Sequence, residues 1–244
     1  MKKTVLITGA SKGIGRATAM LFAEKGYQVV LHYCTDADGA MRFHHDLLEK
    51  QLPAMLCQAD ITQRADVENM FYQISSAFGS VDILINNAGI AQQKLFDEIS
   101  DDDWNRMFDV NVKGMYHCTQ AVISDMIAKK DGCIVNISSI WGLSGASMEV
   151  HYSAAKAAVI GFTKALAKEM GPSNIRVNCV APGVVDTAMN AALDSATLAA
   201  LKEDTPLMRI GTPEEIAQVI YFLASDNARF ITGQVLSPNG GFLI

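Results

Sequence analysis

Thr8-Gly9-Ala10-Ser11-Lys12-Gly13-Ile14-Gly15 stands between a short apolar run, residues 4–8, and a segment of helical periodicity, residues 14–25. A glycine-rich turn that leaves a strand and opens a helix can bend tightly and let a ligand approach the backbone. It also aims the free N–H groups of the helix N-terminus at a pyrophosphate. The spacing here, Gly-x-x-x-Gly-x-Gly, is more particular than the commoner Gly-x-Gly-x-x-Gly. Gly9, Ser11, Lys12, Gly13, Ile14 and Gly15 are therefore expected to hold a dinucleotide.

Outward from this turn the chain alternates. Short, almost continuously apolar runs recur at 4–8, 28–33, 54–58, 82–86, 133–138, 175–180 and 234–237, as strands covered on both faces do. Helical periodicity fills the intervals, as at 14–25 and 63–78, and Gly26 closes the first helix. The alternation predicts an α/β fold, a doubly wound parallel sheet of Rossmann-like type with right-handed crossovers. Thr62 with Ala65 and Asp66, and Thr212-Pro213-Glu214-Glu215, read as helix starts. No repeat or Pro/Ser linker divides the chain, so residues 1–244 are expected to form a single domain. Residues 189–208, small and charged around a polar-faced helix, suit a flap over a site.

A formal net charge of −6 gives no general attraction to nucleic acid or anionic lipid. No run reaches the roughly 18 uncharged apolar residues of a membrane helix, and the N-terminal apolar stretch meets Gly9 instead of a cleavage site. A cytoplasmic protein is expected. The five cysteines are scattered, without Cys-x-x-Cys, and read as free buried thiols. His44 and His45 point to different sides of a helix, and no metal site is expected.

The second strand ends His32-Tyr33-Cys34, without the acid that would bond the adenosine ribose of NAD and repel the extra phosphate of NADP. Lys12 and Arg16 beside the glycine turn can face that phosphate, so NADPH is the expected cofactor. Asp60 and Ile61 after the third strand can hold adenine. Asn86-Asn87-Ala88-Gly89 ends the fourth strand, where small residues let a cofactor pass and Asn86 can tie backbone together.

Tyr152 and Lys156 lie four apart at the start of a helix and share one face. A free phenol has a pKa of ~10, and an adjacent ammonium and an oxidised nicotinamide would both favour its ionised form. Tyr152 thus suits proton transfer. Ser139, at the end of the fifth strand, can donate to a substrate oxygen, and Asn111 can hold a water linking Lys156 to solvent.

These elements arrive in the order of the short-chain dehydrogenase/reductases, and the sequence resembles that family over essentially its full length. Arg176-Val-Asn-Cys-Val-Ala-Pro-Gly-Val-Val-Asp-Thr187 and Ile231-Thr-Gly-Gln-Val-Leu-Ser-Pro-Asn-Gly-Gly241 are similar to segments of the 3-oxoacyl-acyl-carrier-protein reductases of fatty-acid synthesis. The resemblance implies an oxidoreductase acting on CH–OH or C=O groups, with Asn111, Ser139, Tyr152 and Lys156 catalytic. It implies cofactor contacts at Asn87, Ala88, Gly89, Pro182, Gly183, Val185 and Thr187 as well as Tyr152 and Lys156. It also implies a homotetramer packed through the long crossover helices.

The sequence departs from the reductase pattern near the substrate. Ala91-Gln92-Gln93 stands where Thr-Arg-Asp is usual, and Ser173 where arginine is common; Lys129 and Lys130 remain as basic positions for an acidic carrier protein. Trp141 and residues 145–151 look more like a bacterial branch that reduces a 5-aminopentanone modification on elongation factor P. A third alternative is a non-catalytic dinucleotide-sensing protein of the same fold. Such a sensor has no need of all four of Asn111, Ser139, Tyr152 and Lys156.

Overall fold

The computed structural model describes residues 2–190 and 194–244. Among them seven strands form one parallel sheet: β1 (Thr4–Ile7), β2 (Gln28–Tyr33), β3 (Ala54–Gln58), β4 (Ile83–Asn86), β5 (Gly132–Ile137), β6 (Ile175–Val180) and β7 (Val235–Leu236). Their order is β3-β2-β1-β4-β5-β6-β7. The helices between them are α1 (Gly13–Glu24), α2 (Ala37–Glu49), α3 (Arg64–Phe78), α4 (Asp101–Phe108), α5 (Gly114–Lys129), the single turn α6 (Trp141–Ser144), α7 (Val150–Met170), α8 (Ser195–Glu203) and α9 (Pro213–Ala224). The winding reverses between β1 and β4, and such a reversal opens a crevice at the strand C-termini.

Side-chain alternation along the strands builds a core on each face. Val5 and Ile7 pack with Phe22 of α1, Phe43 of α2 and Ile220 of α9. Leu6 of the same strand points the other way, onto Val67 of α3 and Val122 and Met126 of α5. Both faces are covered, which is why the strands read as unbroken apolar runs.

The expected strands match to within a residue or two at each end. Gly26, at φ 87°, follows α1 in the left-handed region as a terminating glycine does. Thr212 and Glu215 form a reciprocal capping box with Pro213 in the first turn of α9. Thr62 is a correction: α3 begins at Arg64 behind Gln63, with no side-chain cap. The Thr62 N–H donates instead to Asp60 Oδ1 at 2.9 Å, and Asp66 accepts from the Asp60 N–H at 3.1 Å. The two acids thus close the loop that the threonine was expected to close. Of the cysteines, Cys34 is exposed, a second correction, while Cys57, Cys118, Cys133 and Cys179 are buried.

Of the stretch expected to form a flap, 191–193 lie outside the described residues; beyond them α8 is capped by Asp194, which accepts from Thr197 N–H at 2.7 Å, and buries none of its side chains. Among the described residues no helix is long and apolar enough to cross a membrane. Helices α4 and α5 are one rod, joined by a π-helical turn at Asp109–Lys113.

Removing the Thr212 hydroxyl leaves an N–H of α9 without its partner. Thr212→Ala should lower stability by about 1 kcal/mol, read from the urea midpoint at unchanged slope.

Candidate active site

The glycine turn is seated on the end of β4. Thr8 Oγ accepts the N–H groups of Asn87 and Ala88, each at 3.0 Å, and Asn87 Nδ2 donates to the carbonyls of Thr8 and Gly9 at 2.9 and 3.1 Å. A Cβ on Gly9, itself at φ 66°, would lie 3.0 Å from Ala88 Cα, and one on Gly15 would collide with the Gly9 carbonyl oxygen. These glycines therefore serve close backbone packing as well as access. Asn87 ties the backbone, a role the sequence suggested for Asn86. Asn86 instead donates to the side chains of Asn136 and Thr119 at 2.9 and 3.1 Å, and Asn136 donates on to Thr163 at 2.9 Å.

From this turn runs a cleft of about 1040 Å³. One end is lined by Tyr33, Cys34, Asp60 and Ile61, and the middle by Gly9, Ser11, Lys12, Gly13, Ile14 and Gly15. The other end is lined by Asn87, Ala88, Gly89, Ser139, Trp141, Tyr152, Lys156, Pro182, Gly183, Val185 and Thr187. The N-terminus of α1 has no side-chain cap, so its N–H groups remain for an anion. Length, free helix terminus and the glycine floor fit a dinucleotide. Arg16 lines an adjoining pocket, not this cleft: it pairs with Asp46 at 3.1 Å and stands 4.7 Å over the Phe43 ring. Asp36 borders the cleft but caps α2, accepting from Gly39 N–H at 3.1 Å.

The four residues expected to be catalytic converge. Lys156 is clasped by the end of β5: its ammonium donates to the Ile137 carbonyl at 3.1 Å, and Ser138 Oγ donates to the Lys156 carbonyl at 2.8 Å. Its Nζ lies 5.6 Å from the Tyr152 ring centre. Asn111 sits in the π turn, its Nδ2 donating to the carbonyls of Ile90 and Met107 at 3.0 Å each. Its Oδ1 is buried without a protein partner. A Cβ on Gly89 would lie 2.6 Å from that oxygen and 3.2 Å from Lys156 Nζ, so glycine keeps open the gap between them.

Burial dominates the electrostatics. It pushes the Tyr152 phenol up to about 12, reinforced by the Glu149 carboxylate and opposed by the Ser139 hydroxyl. Burial brings the Lys156 ammonium down to about 8 from an ordinary 10.5. The free site thus holds Tyr152 neutral, in contrast to the ionised form expected from its lysine neighbour.

Sequence reasoning missed a bridge across the mouth. His151, fully buried, meets Gln92 Oε1 through Nε2 at 2.8 Å, and Gln92 Nε2 donates to Asp103 at 2.9 Å. Lys94 Nζ also reaches Asp103, at 2.7 Å, and its N–H donates to the Met148 carbonyl at 2.7 Å. Gln93 donates to Glu149 at 3.2 Å. Gln92 and Gln93 depart from the reductase pattern in the same chain as residues 145–151, and they bond each other. That joint departure was the available signal.

A family model described as enoyl-(acyl carrier protein) reductase matches residues 9–243. The chain is 39% identical over 241 residues to the 3-oxoacyl-[acyl-carrier-protein] reductase FabG of Staphylococcus epidermidis, covering 99% of each chain. It is 40% identical over 247 residues to the protein of that name from Thermotoga maritima, covering 99% of this chain and 98% of the relative. For the one from Chlamydia muridarum the identity is 41% over 242 residues, covering 99% and 97%.

The buried ammonium has a cost with a defined pH window. Lys156 is protonated in the folded state below about 8 and in the unfolded state below 10.5, so burial penalises folding fully below the first value and not at all above the second. Lys156→Met should therefore be more stable than the parent at pH 7 by about 1–3 kcal/mol. The gain should fade between those two values when denaturant midpoints are compared across pH.

Proposed function

Because this chain belongs to the short-chain dehydrogenase/reductase family, whose members are oxidoreductases of CH–OH and C=O groups, we propose that it is an NADPH-dependent reductase of 3-oxoacyl thioesters, with Tyr152 as the proton donor. The observation that carries the reading is the convergence of a neutral buried phenol, Ser139 and a deeply buried ammonium at one end of a dinucleotide-sized cleft. NADPH supplies the hydride when bound. The chain's own residues do the rest: Ser139 holds the substrate carbonyl oxygen, and Tyr152 donates its hydroxyl proton to that oxygen as charge develops. Lys156 holds the nicotinamide ribose and stabilises the resulting phenolate. Proton return runs through Lys156 toward a water held by Asn111 Oδ1, across the gap that Gly89 leaves.

Preference for NADPH is supported by Tyr33 at the β2 end, where an acid would repel the phosphate, and by the exposed Lys12 in the cleft. Val185 and Thr187 flank the nicotinamide end. A carbonyl target, rather than the carbon–carbon double bond in the family model's name, is supported by the phenol and hydroxyl side by side and by the relatives' names. Those names also favour an acyl-carrier-borne substrate. Lys130 is the better basic candidate for the carrier, since Lys129 is held by Asp82 at 2.7 Å. The assembly we propose is a homotetramer. Its contacts are α4–α5, which exposes Trp104, Tyr116 and Ile127, and α7 with Phe242, Leu243 and Ile244. A single monomeric species in sedimentation at micromolar concentration would contradict it.

A second reading, reduction of 5-aminopentanone on elongation factor P, is favoured by Glu149. This half-buried carboxyl at the mouth stands where an amine-bearing substrate would enter. Acetoacetyl carrier protein, its short thioester mimic and aminopentanone-modified protein, compared by NADPH oxidation, separate the two, and a crotonyl thioester tests the enoyl alternative. We expect acetoacetyl carrier protein to be reduced fastest.

Tyr152→Phe should cut turnover about 100-fold or more with NADPH binding nearly unchanged. Ser139→Ala should lower turnover alone, and Lys156→Ala both turnover and cofactor affinity. Near-normal turnover in Tyr152→Phe would refute the mechanism. Tyr33→Asp should shift preference toward NADH, read as the ratio of the two kcat/KM values.

A further inference from the structure

His32 lies one residue before the end of β2, and its ring joins two elements that border the cleft. Nδ1 accepts the Gly9 N–H at 3.1 Å, and Nε2 stands 3.0 Å from the Ala59 carbonyl oxygen. A carbonyl oxygen can only accept and an amide N–H can only donate. The two contacts therefore fix one tautomer, with Nε2 protonated and Nδ1 bare. The main chain adds to the grip, because Ala10 N–H donates to the His32 carbonyl at 2.8 Å.

We infer that His32 is a positioning residue for the glycine turn, and that dinucleotide binding requires its ring to stay neutral. The inference rests on reading the cleft as the dinucleotide site. A second proton can go only to Nδ1, where it would meet the Gly9 N–H donor to donor, in a side chain that is 1% exposed. The ring would have to leave Gly9, the residue from which the turn starts at φ 66° and whose carbonyl Asn87 also holds. A cofactor-free turn can give way; one pressed against a pyrophosphate must keep its geometry.

The charged groups around the ring come from three sides. Asp60, after β3, favours the cation, with Asp66 behind it; Lys12 on the glycine turn carries the opposing charge; Asp36, beyond Cys34, is engaged as the α2 cap. Burial outweighs Asp60 and lowers the ring below its ordinary 6.5. For a base shifted downward, the contribution is complete above the unfolded value and is lost as pH falls through the folded one. Affinity should then be level above 6.5 and fall on the acid side.

The test is NADPH fluorescence titration of the full chain between pH 8 and 5, on the parent and on His32→Asn. The asparagine amide oxygen can take the Gly9 N–H and gains no proton. The cofactor's own phosphate titrates alike in both proteins, so the comparison carries the result. We expect agreement within about threefold at pH 8, and by pH 5 a parent weaker than the variant by about tenfold, one pH unit of titration. Parallel decline of the two would overturn the inference. Absence of NADPH binding to the parent at pH 8 would instead overturn the reading of the cleft and the inference with it. Should His32→Asn fail to fold, ring-nitrogen NMR of the parent decides. An Nε2–H tautomer at pH 8, with protonation that displaces the Gly9 amide signal, supports the inference; an Nδ1–H tautomer, or protonation without that displacement, overturns it.

Discussion

The bonds between Thr8 and Asn87 hold together the ends of the two central strands, and the cleft depends on them. β1 and β4 are neighbours whose crossovers depart in opposite directions, so nothing in the sheet ladder itself controls the space beyond their last residues. One hydroxyl accepting two N–H groups, and one carboxamide donating to two carbonyls, supply that control. With the turn so fixed, Gly9 can rest on Ala88, and Gly89 comes to lie between Asn111 and Lys156. Nucleotide floor and proton-handling end thus share one support.

Polar groups are buried behind this support in a graded way. Asn86, Asn136, Thr119 and Thr163 form a bonded ladder through the sheet and the helices on it, satisfied apart from the Asn86 carbonyl oxygen. Satisfied networks of this kind fix one arrangement of a core. Lys156 differs, because a carbonyl is its one protein hydrogen-bond partner and its charge is held at a cost. A neutral acid of high pKa beside a reluctant cation is an arrangement ready to give a proton to an oxygen and slow to take one back.

Much of the fold was legible because strands covered on both faces must be apolar throughout, and the chain shows that seven times over. Spacing also exposed the Tyr152 and Lys156 pair, since residues four apart share a helix face whatever surrounds them. What spacing does not report is competition for partners. Thr62 lost the capping role because two acids closed its loop, Asn87 took the backbone tie expected of Asn86, and Arg16 went to Asp46 and Phe43. The bridge from Gln92 to His151 joins residues 59 positions apart, beyond any local pattern.

The π turn that carries Asn111 has a consequence for chain length. Five residues here complete what fewer do elsewhere in the rod, and the surplus lets Asn111 reach both Ile90 and Met107. Deleting a single residue would close the turn into ordinary α-helix and rotate everything after it by about 100°. Cys118, Val122 and Met126 would swing off the sheet together with the asparagine. Substitutions along this rod are judged one side chain at a time, whereas its number of residues is a property of the whole molecule. An insertion or deletion that a surface loop absorbs would here unseat a core face and a water site at once.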